Sequence, residues 1–287
     1  MKKLTVISGK GGTGKTTIVS NLASLNEGLV LADCDVDAPN LHILLNPEIL
    51  EEEIYKSGKL VVKDEDKCIS CGICYDVCRF DAIMNKEYKI NPIKCDGCKV
   101  CVAQCPQNAL DLVVDETGTI FKSDTKFGPM IHAKLKAGAD NSGKLVSEVR
   151  KIADKTAEEN DKKLILIDGS PGIGCPVIAS LNGVDAALVV TEPTKSGLSD
   201  LKRILKVTEY FKIKSIVVIN KYDLNEQITG EIKTYCQSRN VKVIGKVPFD
   251  PLINETLSRG ELIVEVHRDS RIAISIKEIW REINNTL

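Results

Sequence analysis

The 287-residue sequence has little of what marks a membrane, secreted or nucleic-acid-binding protein. No apolar run approaches the roughly 18 residues that a helical span of a bilayer needs. Basic and acidic residues nearly cancel, 39 against 40, so the chain lacks the broad basic surface that holds nucleic acid. No secretory leader is expected either. Behind Lys2 and Lys3 the apolar run Leu4–Ser8 is too short for a signal-peptide core. No low-complexity tract occurs, and His42, His132 and His267 do not cluster. The expectation is a cytoplasmic globular protein whose partners are neither nucleic acid nor membrane.

What the sequence does have is eleven cysteines. Disulfide frameworks belong to secreted chains, whereas clustered thiols in an intracellular chain serve metals or redox chemistry. Eight lie between Cys68 and Cys105, while Cys34, Cys175 and Cys236 stand alone. Their distribution points to metal.

Around the cysteines the pattern is that of an α/β protein. Leu4–Ser8, Leu29–Ala32, Lys163–Asp168, Ala186–Thr191 and Ser215–Asn220 are near-continuous apolar runs, as parallel strands covered on both faces require, and Lys242–Val247 is a more mixed one. Helical segments are expected near 15–25, 142–159, 197–211, 226–238 and 271–284. The segment 63–111 breaks this alternation. It reads as a small domain inserted into a larger one formed by 1–62 and 112–287, an insertion that loop-closure entropy tolerates. The expected fold class is α/β, a doubly wound parallel sheet with an inserted small α+β domain.

Gly9-Lys10-Gly11-Gly12-Thr13-Gly14-Lys15-Thr16 fits G-x-x-x-x-G-K-[ST], after a strand and at the start of a helix. The glycines let backbone N–H groups and the helix N-terminus turn toward phosphates. Lys15 is placed to reach the β- and γ-phosphates and the Thr16 hydroxyl to bind Mg²⁺, with Thr17 beside them. Asp168, ending an apolar strand, is the expected second acid near the metal.

The stretch with its early Lys10 resembles the deviant Walker A motif, KGGTGKT, of the MinD/ParA/Mrp ATPases, the nitrogenase iron protein superfamily. That resemblance covers most of 1–62 and 112–287. It implies a nucleotide-sandwich homodimer in which Lys10 contacts the partner's phosphates. It also implies that Asp35, in Asp33-Cys34-Asp35, positions the attacking water. Asp168-Gly169-Ser170-Pro171-Gly172 is similar to the second switch, and Phe127-Gly128-Pro129-Met130 resembles a segment of the Mrp branch. Asn220-Lys221-Tyr222-Asp223 matches the guanine-reading N-x-x-D-type pattern N-K-x-D. In the resembled family, however, Asn220 and the loop at Pro248 flank adenine, so ATP is expected with GTP left open.

Cys68-x2-Cys71-x2-Cys74-x3-Cys78 repeats about 27 residues later as Cys95-x2-Cys98-x2-Cys101-x3-Cys105-Pro106. This resembles the bacterial two-cluster ferredoxins, in which the fourth cysteine of each run serves the other cluster. The resemblance implies one [4Fe–4S] cluster on Cys68, Cys71, Cys74 and Cys105, and another on Cys95, Cys98, Cys101 and Cys78. Arg79 departs from the proline usual at its position. Zinc ribbons would leave two thiols of each run surplus. A purely bracing role for the clusters stays open, as does a bridging-cluster role for Cys175. Cys34 and Cys236 read as core residues. The last helix puts Ile272, Ile276, Ile279, Trp280 and Ile283 on one face, which suits core packing.

Three functions are compatible with these features. The first is an ATPase that couples a nucleotide-switched dimer to electron transfer toward a partner metalloprotein. The second is a carrier resembling the Mrp branch, which assembles or delivers Fe–S clusters or metallocentres to an acceptor. The third is a MinD-like spatial organiser.

Overall fold

The computed structural model describes residues 1–26, 28–139 and 142–287. The chain opens with β1 (Lys2–Ser8), the glycine loop, α1 (Lys15–Ala23) and β2 (Leu29–Asp33). A short helix, α2 (Leu41–Leu45), leads into the long strand β3 (Glu48–Lys63). The cysteine region holds two short helices, α3 (Ile73–Asp76) and α4 (Val100–Gln104). After β4 (Leu110–Thr125) and β5 (Gly128–Leu135), regular alternation resumes with α5 (Ser142–Glu159), β6 (Leu164–Pro171) and α6 (Cys175–Leu181). It continues through β7 (Ala186–Thr191), α7 (Lys195–Tyr210), β8 (Lys214–Asn220), α8 (Glu226–Ser238) and β9 (Lys242–Val247). Three helices close the chain: α9 (Leu252–Ser258), α10 (Ile263–Val266) and α11 (Arg271–Asn284).

Seven of the strands pair in parallel in the order β5-β2-β6-β1-β7-β8-β9. The reason is in their side chains. β2 and β7 bury every residue, so neither face can meet water and helices must cover both. Alternate residues feed two separate cores. Leu4, Val6, Leu188 and Val190 join one with Ile18, Leu22, Ile272 and Ile276, from α1 and α11. Ile7, Ala187 and Val189 join the other with Leu201, Ile204 and Ile232, from α7 and α8. Period-two alternation in strands between two helical layers is what makes the sheet doubly wound. The apolar face of α11 is buried in the first core. There Gly245 lies so close that a Cβ would meet Ile279 at 2.2 Å.

The chain divides into two compact units. The first comprises Met1–Glu52, Ile120–Lys134 and Ser142–Leu287; the second comprises Glu53–Thr119 and the segment beginning at Leu135. The second therefore includes residues on either side of the 63–111 expected for the insert, because β3 and β4 each run through both units along the chain. Strands β3, β4 and β5 carry no sequence signal comparable to the others. Glu48–Ile54 is exposed at all seven positions and four of them are glutamate, so no apolar period marks it.

The internal repeat of the second unit is also a repeat of backbone shape. Ser70, Gly72 and Asp81 have φ of 54°, 81° and 50°, and their counterparts 27 residues on, Gly97, Lys99 and Asn108, have 62°, 70° and 49°. Gly97 has no substitute, since a Cβ there would stand 2.1 Å from the carbonyl oxygen of Lys59. Among the described residues no helix is long and apolar enough to cross a membrane.

Candidate functional site

The ends of β1, β2, β6 and β8 meet at one edge of the parallel sheet, around a cavity of about 720 Å³. Such a volume suits a small-molecule ligand. Gly11, Gly12, Thr13, Gly14, Lys15, Thr16 and Thr17 line it, together with Asp35, Asn220 and Pro248. Gly14 caps α1 in a left-handed conformation with no side chain on the first N–H groups, which leaves those donors for an anion. A Cβ on Gly14 would meet Asn220 Nδ2 at 2.3 Å, and Asn220 Nδ2 donates to the Thr13 carbonyl at 2.7 Å. The base-side asparagine and the glycine loop thus hold each other.

Beneath the loop lies a buried charge cluster. Lys15 Nζ is 2.5 Å from Asp168 Oδ1 and 3.8 Å from Asp35 Oδ2. Burial works to lower the Lys15 pKa, but Asp168 and then Asp35 and Asp33 outweigh it and hold the ammonium above its usual value. Burial, followed by repulsion from Asp168, pushes Asp33 up to about 8, and burial also raises Asp35. Asp33 is paired with Asp168 in the strand register and accepts the N–H groups of Asp35 and Leu41. At this site Thr13 Oγ1 and Asp168 Oδ2 are buried without a hydrogen-bond partner among the described residues. An orphaned hydroxyl and carboxylate oxygen at a P-loop fit a phosphate and a hydrated Mg²⁺.

Besides Asp168, which is bonded to Lys15 beneath the loop, two expected residues stand off the cavity wall. Gly9 packs against Asp200, where a Cβ would stand 2.1 Å from that residue's own Cβ. Lys10 pairs with Glu192 at 2.7 Å and donates to Ser196 Oγ at 3.1 Å. Glu192, which also faces Lys221 at 3.6 Å, went unnoticed in the sequence. Its signal was the one that marked Asp168, an acid directly after an apolar strand. Phe249, Asp250, Ile253 and Leu257 also line the cavity, and the last two sit on a seven-residue helix too short to show periodicity. Asp223 accepts the Phe249 N–H at 2.8 Å, so within this chain the N-K-x-D acid fastens the loop after Pro248.

The second unit brings its eight repeat cysteines into two groups. One pocket is lined by Cys68, Cys71, Cys74 and Cys105, the other by Cys78, Cys95, Cys98 and Cys101. The fourth cysteine of each run joins the first three of the other. Backbone geometry repeats as well: the Ala82 N–H donates to Cys78 Sγ at 3.4 Å and the Ala109 N–H to Cys105 Sγ at 3.2 Å. Burial pushes the Cys101 thiol up to about 11 and raises Cys74. Among the described residues no three His, Cys, Asp or Glu side chains stand close enough to grip a single metal ion. One zinc ion would need its sulfurs about 2.3 Å away. Four thiols lining one pocket, with an N–H donated to one of them in each group, fit an iron–sulfur core. Of the lone cysteines, Cys34 and Cys236 are buried, with thiols raised by burial, and Cys175 is exposed at the start of α6.

Comparison with known proteins agrees with the geometry of the first unit. Residues 4–263 match the family described as the CobQ/CobB/MinD/ParA nucleotide binding domain. An uncharacterized protein of Methanocaldococcus jannaschii is 35% identical over 98% of this chain and 96% of its own length. An iron-sulfur cluster carrier protein of the same organism is 22% identical over 98% of this chain and 83% of its own. The septum site-determining protein MinD of Pyrococcus horikoshii, solved with Mg-ADP, superposes with a TM-score of 0.61 at 19% identity. That superposition covers 99% of this chain and 96% of the other and shows the fold. With the family match spanning both ends of the parallel sheet, the chain belongs to the CobQ/CobB/MinD/ParA nucleotide-binding family and is a P-loop ATPase of the MinD/ParA type.

Proposed function

We propose that the protein is an ATP-switched iron–sulfur ATPase that assembles or delivers clusters or metallocentres to an acceptor protein. One observation carries this reading: a P-loop cavity and two four-thiol pockets occur in a single chain. The similarity of almost the whole chain to iron-sulfur cluster carrier proteins supports it.

The residues divide the work. Lys15 and the loop N–H groups hold the phosphates of ATP, with Asn220 and Pro248 at the base. Thr16 and Asp168 hold Mg²⁺, which neutralises phosphate charge when bound. Lys15 is paired with Asp168, and in this reading it exchanges that contact for one to phosphate. This exchange frees Asp168 for the metal and moves positive charge toward the γ-phosphate. Asp35, raised by burial and within 3.8 Å of Lys15, orients the attacking water. Lys10 leaves Glu192 to contact the phosphates of a second copy, so the active form is a homodimer. Hydrolysis removes the γ-phosphate contacts and relaxes the switch segments. Cys68, Cys71, Cys74 and Cys105 hold one [4Fe–4S] cluster and Cys78, Cys95, Cys98 and Cys101 the other, and such clusters supply one-electron redox chemistry. The cargo cluster in this reading is held elsewhere, with the exposed Cys175 as its thiol.

A second reading is favoured by the pockets themselves. Each has four thiols and no open position, which suits a retained cluster and makes electron delivery to a metalloprotein the output. Anaerobic incubation with an apo-acceptor and ATP separates the two. Delivery moves iron into the acceptor and is lost in Cys175→Ala, whereas electron transfer reduces a metal-loaded acceptor with iron per chain unchanged. Absence of both responses to ATP would overturn the proposal.

A further inference from the structure

Three aromatic rings from distant parts of the sequence form a stack at α2, just after Asp33 and Asp35. His42, on α2, stacks on His132 of β5 with centroids 5.5 Å apart and planes within 8°. His132 stacks in turn on Phe121 of β4, at 4.9 Å and 17°. Ser123 Oγ is hydrogen-bonded to His132 Nε2 at 3.0 Å, which fixes the central ring. Burial, and then His42, hold His132 down at about 4; burial, and then Lys134, hold His42 below its usual value. Both rings are therefore neutral at pH 7 and stack without charge repulsion.

One end of this stack is tied to the nucleotide site. His42 follows Leu41, whose N–H bonds Asp33, and precedes Ile43 and Leu44, which line the nucleotide cavity with Asn40. His132 is also the register partner of Asp33 on the neighbouring strand. The other end is tied to the second unit by the chain itself. Phe121 lies two residues after Thr119, the last residue of that unit before β4 enters the first, and His132 lies three residues before Leu135, where the chain returns to it. Strands transmit displacement along their axes because each residue is fixed by its ladder, and three residues span only about 10 Å.

We propose that the His42–His132–Phe121 stack is the joint through which the nucleotide-bound position of α2 is imposed on β4 and β5, and so on the cysteine-bearing unit. His132 is then a positioning residue, acting through its neighbours rather than on nucleotide. The ligand's differential contact is with Asn40, Ile43 and Leu44, on and beside α2, and the responding element is the pair of strands. By linkage the coupling runs both ways: whatever nucleotide does to the second unit, the state of that unit does to nucleotide affinity. The idea deepens the proposed function, since it names the route by which one chain would couple its two sites.

Hydrogen exchange on the full-length, anaerobically purified protein tests it, with ADP against a non-hydrolysable ATP analogue and iron measured on the same samples. The analogue is expected to slow amide exchange in residues 110–119 of wild type by about fivefold or more, the low end of usual coupling. His42→Ala should lose that response while its exchange with ADP matches wild type, and His42→Phe, which keeps a ring, should retain it. A full response in His42→Ala, or none in wild type, overturns the joint. A response in protein that carries no iron leaves the joint standing and removes the cluster reading; iron-loaded protein without a response does the reverse.

Discussion

In the α/β unit, β2 and β7 bury every residue, and two cores of aliphatic side chains pack on opposite faces of the sheet. The cysteine-bearing unit buries Val61, Ala82, Ile83, Ala109, Leu110 and Cys101, and its cluster is otherwise built from half-buried residues, four of them further cysteines of the repeat. A unit of this size with so thin a core is short of the apolar burial that offsets chain entropy. The difference teaches that the two units draw stability from different sources. The first folds because water is excluded from both faces of a sheet. On the proposed function, the second would depend on what its thiols bind.

The largest effect expected from this contrast is on removal of metal. Anaerobic chelation should drop amide protection across 53–119 to that of an unfolded chain. Nucleotide affinity of the first unit should change by less than about tenfold, the lower part of usual coupling energies. Hydrogen exchange with nucleotide titration checks both. Protection that survives chelation would erase the distinction.

Next come core substitutions. Leu166 is fully buried in the larger core, and Leu166→Ala should cost about 3–5 kcal/mol. Val61→Ala should cost about 2 kcal/mol, confined to the second unit and hidden while metal is bound. Denaturant melts of metal-loaded and metal-free protein separate the two. A smaller effect sharpens the contrast on the side of chemistry. Asp35→Asn should lower kcat for ATP by roughly 100-fold, about 2.7 kcal/mol, with little change in KM and none in iron content.

The smallest is a pH effect at the ring stack. The unfolded chain protonates His132 near 6.5, the folded one only near 4, so between those values the unfolded state binds more protons. Stability must therefore fall as pH drops from 6.5 toward 4. The loss amounts to roughly 2 kcal/mol. His132→Gln should show a correspondingly flatter stability profile over that range, measured by thermal melts against wild type.

How legible this was in the sequence follows the same division. The five apolar runs from Leu4–Ser8 to Ser215–Asn220 coincide with strands because continuous burial leaves a continuous apolar signature. The glycine loop declared itself through residue types that its conformation requires, as at Gly14. Strands β3 to β5 stayed hidden: exposed positions of β3 and β4 mix charged residues with Ile49, Leu50, Ile54, Val113 and Val114, which blurs any alternation, and hydrogen bonds to neighbouring strands leave no trace in composition. Glu192 was invisible as a partner of Lys10 because proximity of residues 182 apart is a product of the fold. The ring stack was equally out of reach, since His42, Phe121 and His132 lie on three separate elements. Cysteine spacing shows the limit from the other side. It implied two groups of four, but the matching left-handed positions 27 residues apart emerge only from the backbone.

Paired cysteine substitutions test the central claim, two clusters each shared by both halves of the repeat. Anaerobically purified wild type should contain about eight iron atoms per chain. Cys68→Ala with Cys105→Ala strikes one pocket twice and should leave about four iron atoms and one intact cluster signal by electron paramagnetic resonance. Cys68→Ala with Cys78→Ala strikes both pockets and should leave neither signal intact. Equal losses in the two double variants, or stoichiometric zinc in place of iron, would contradict the account.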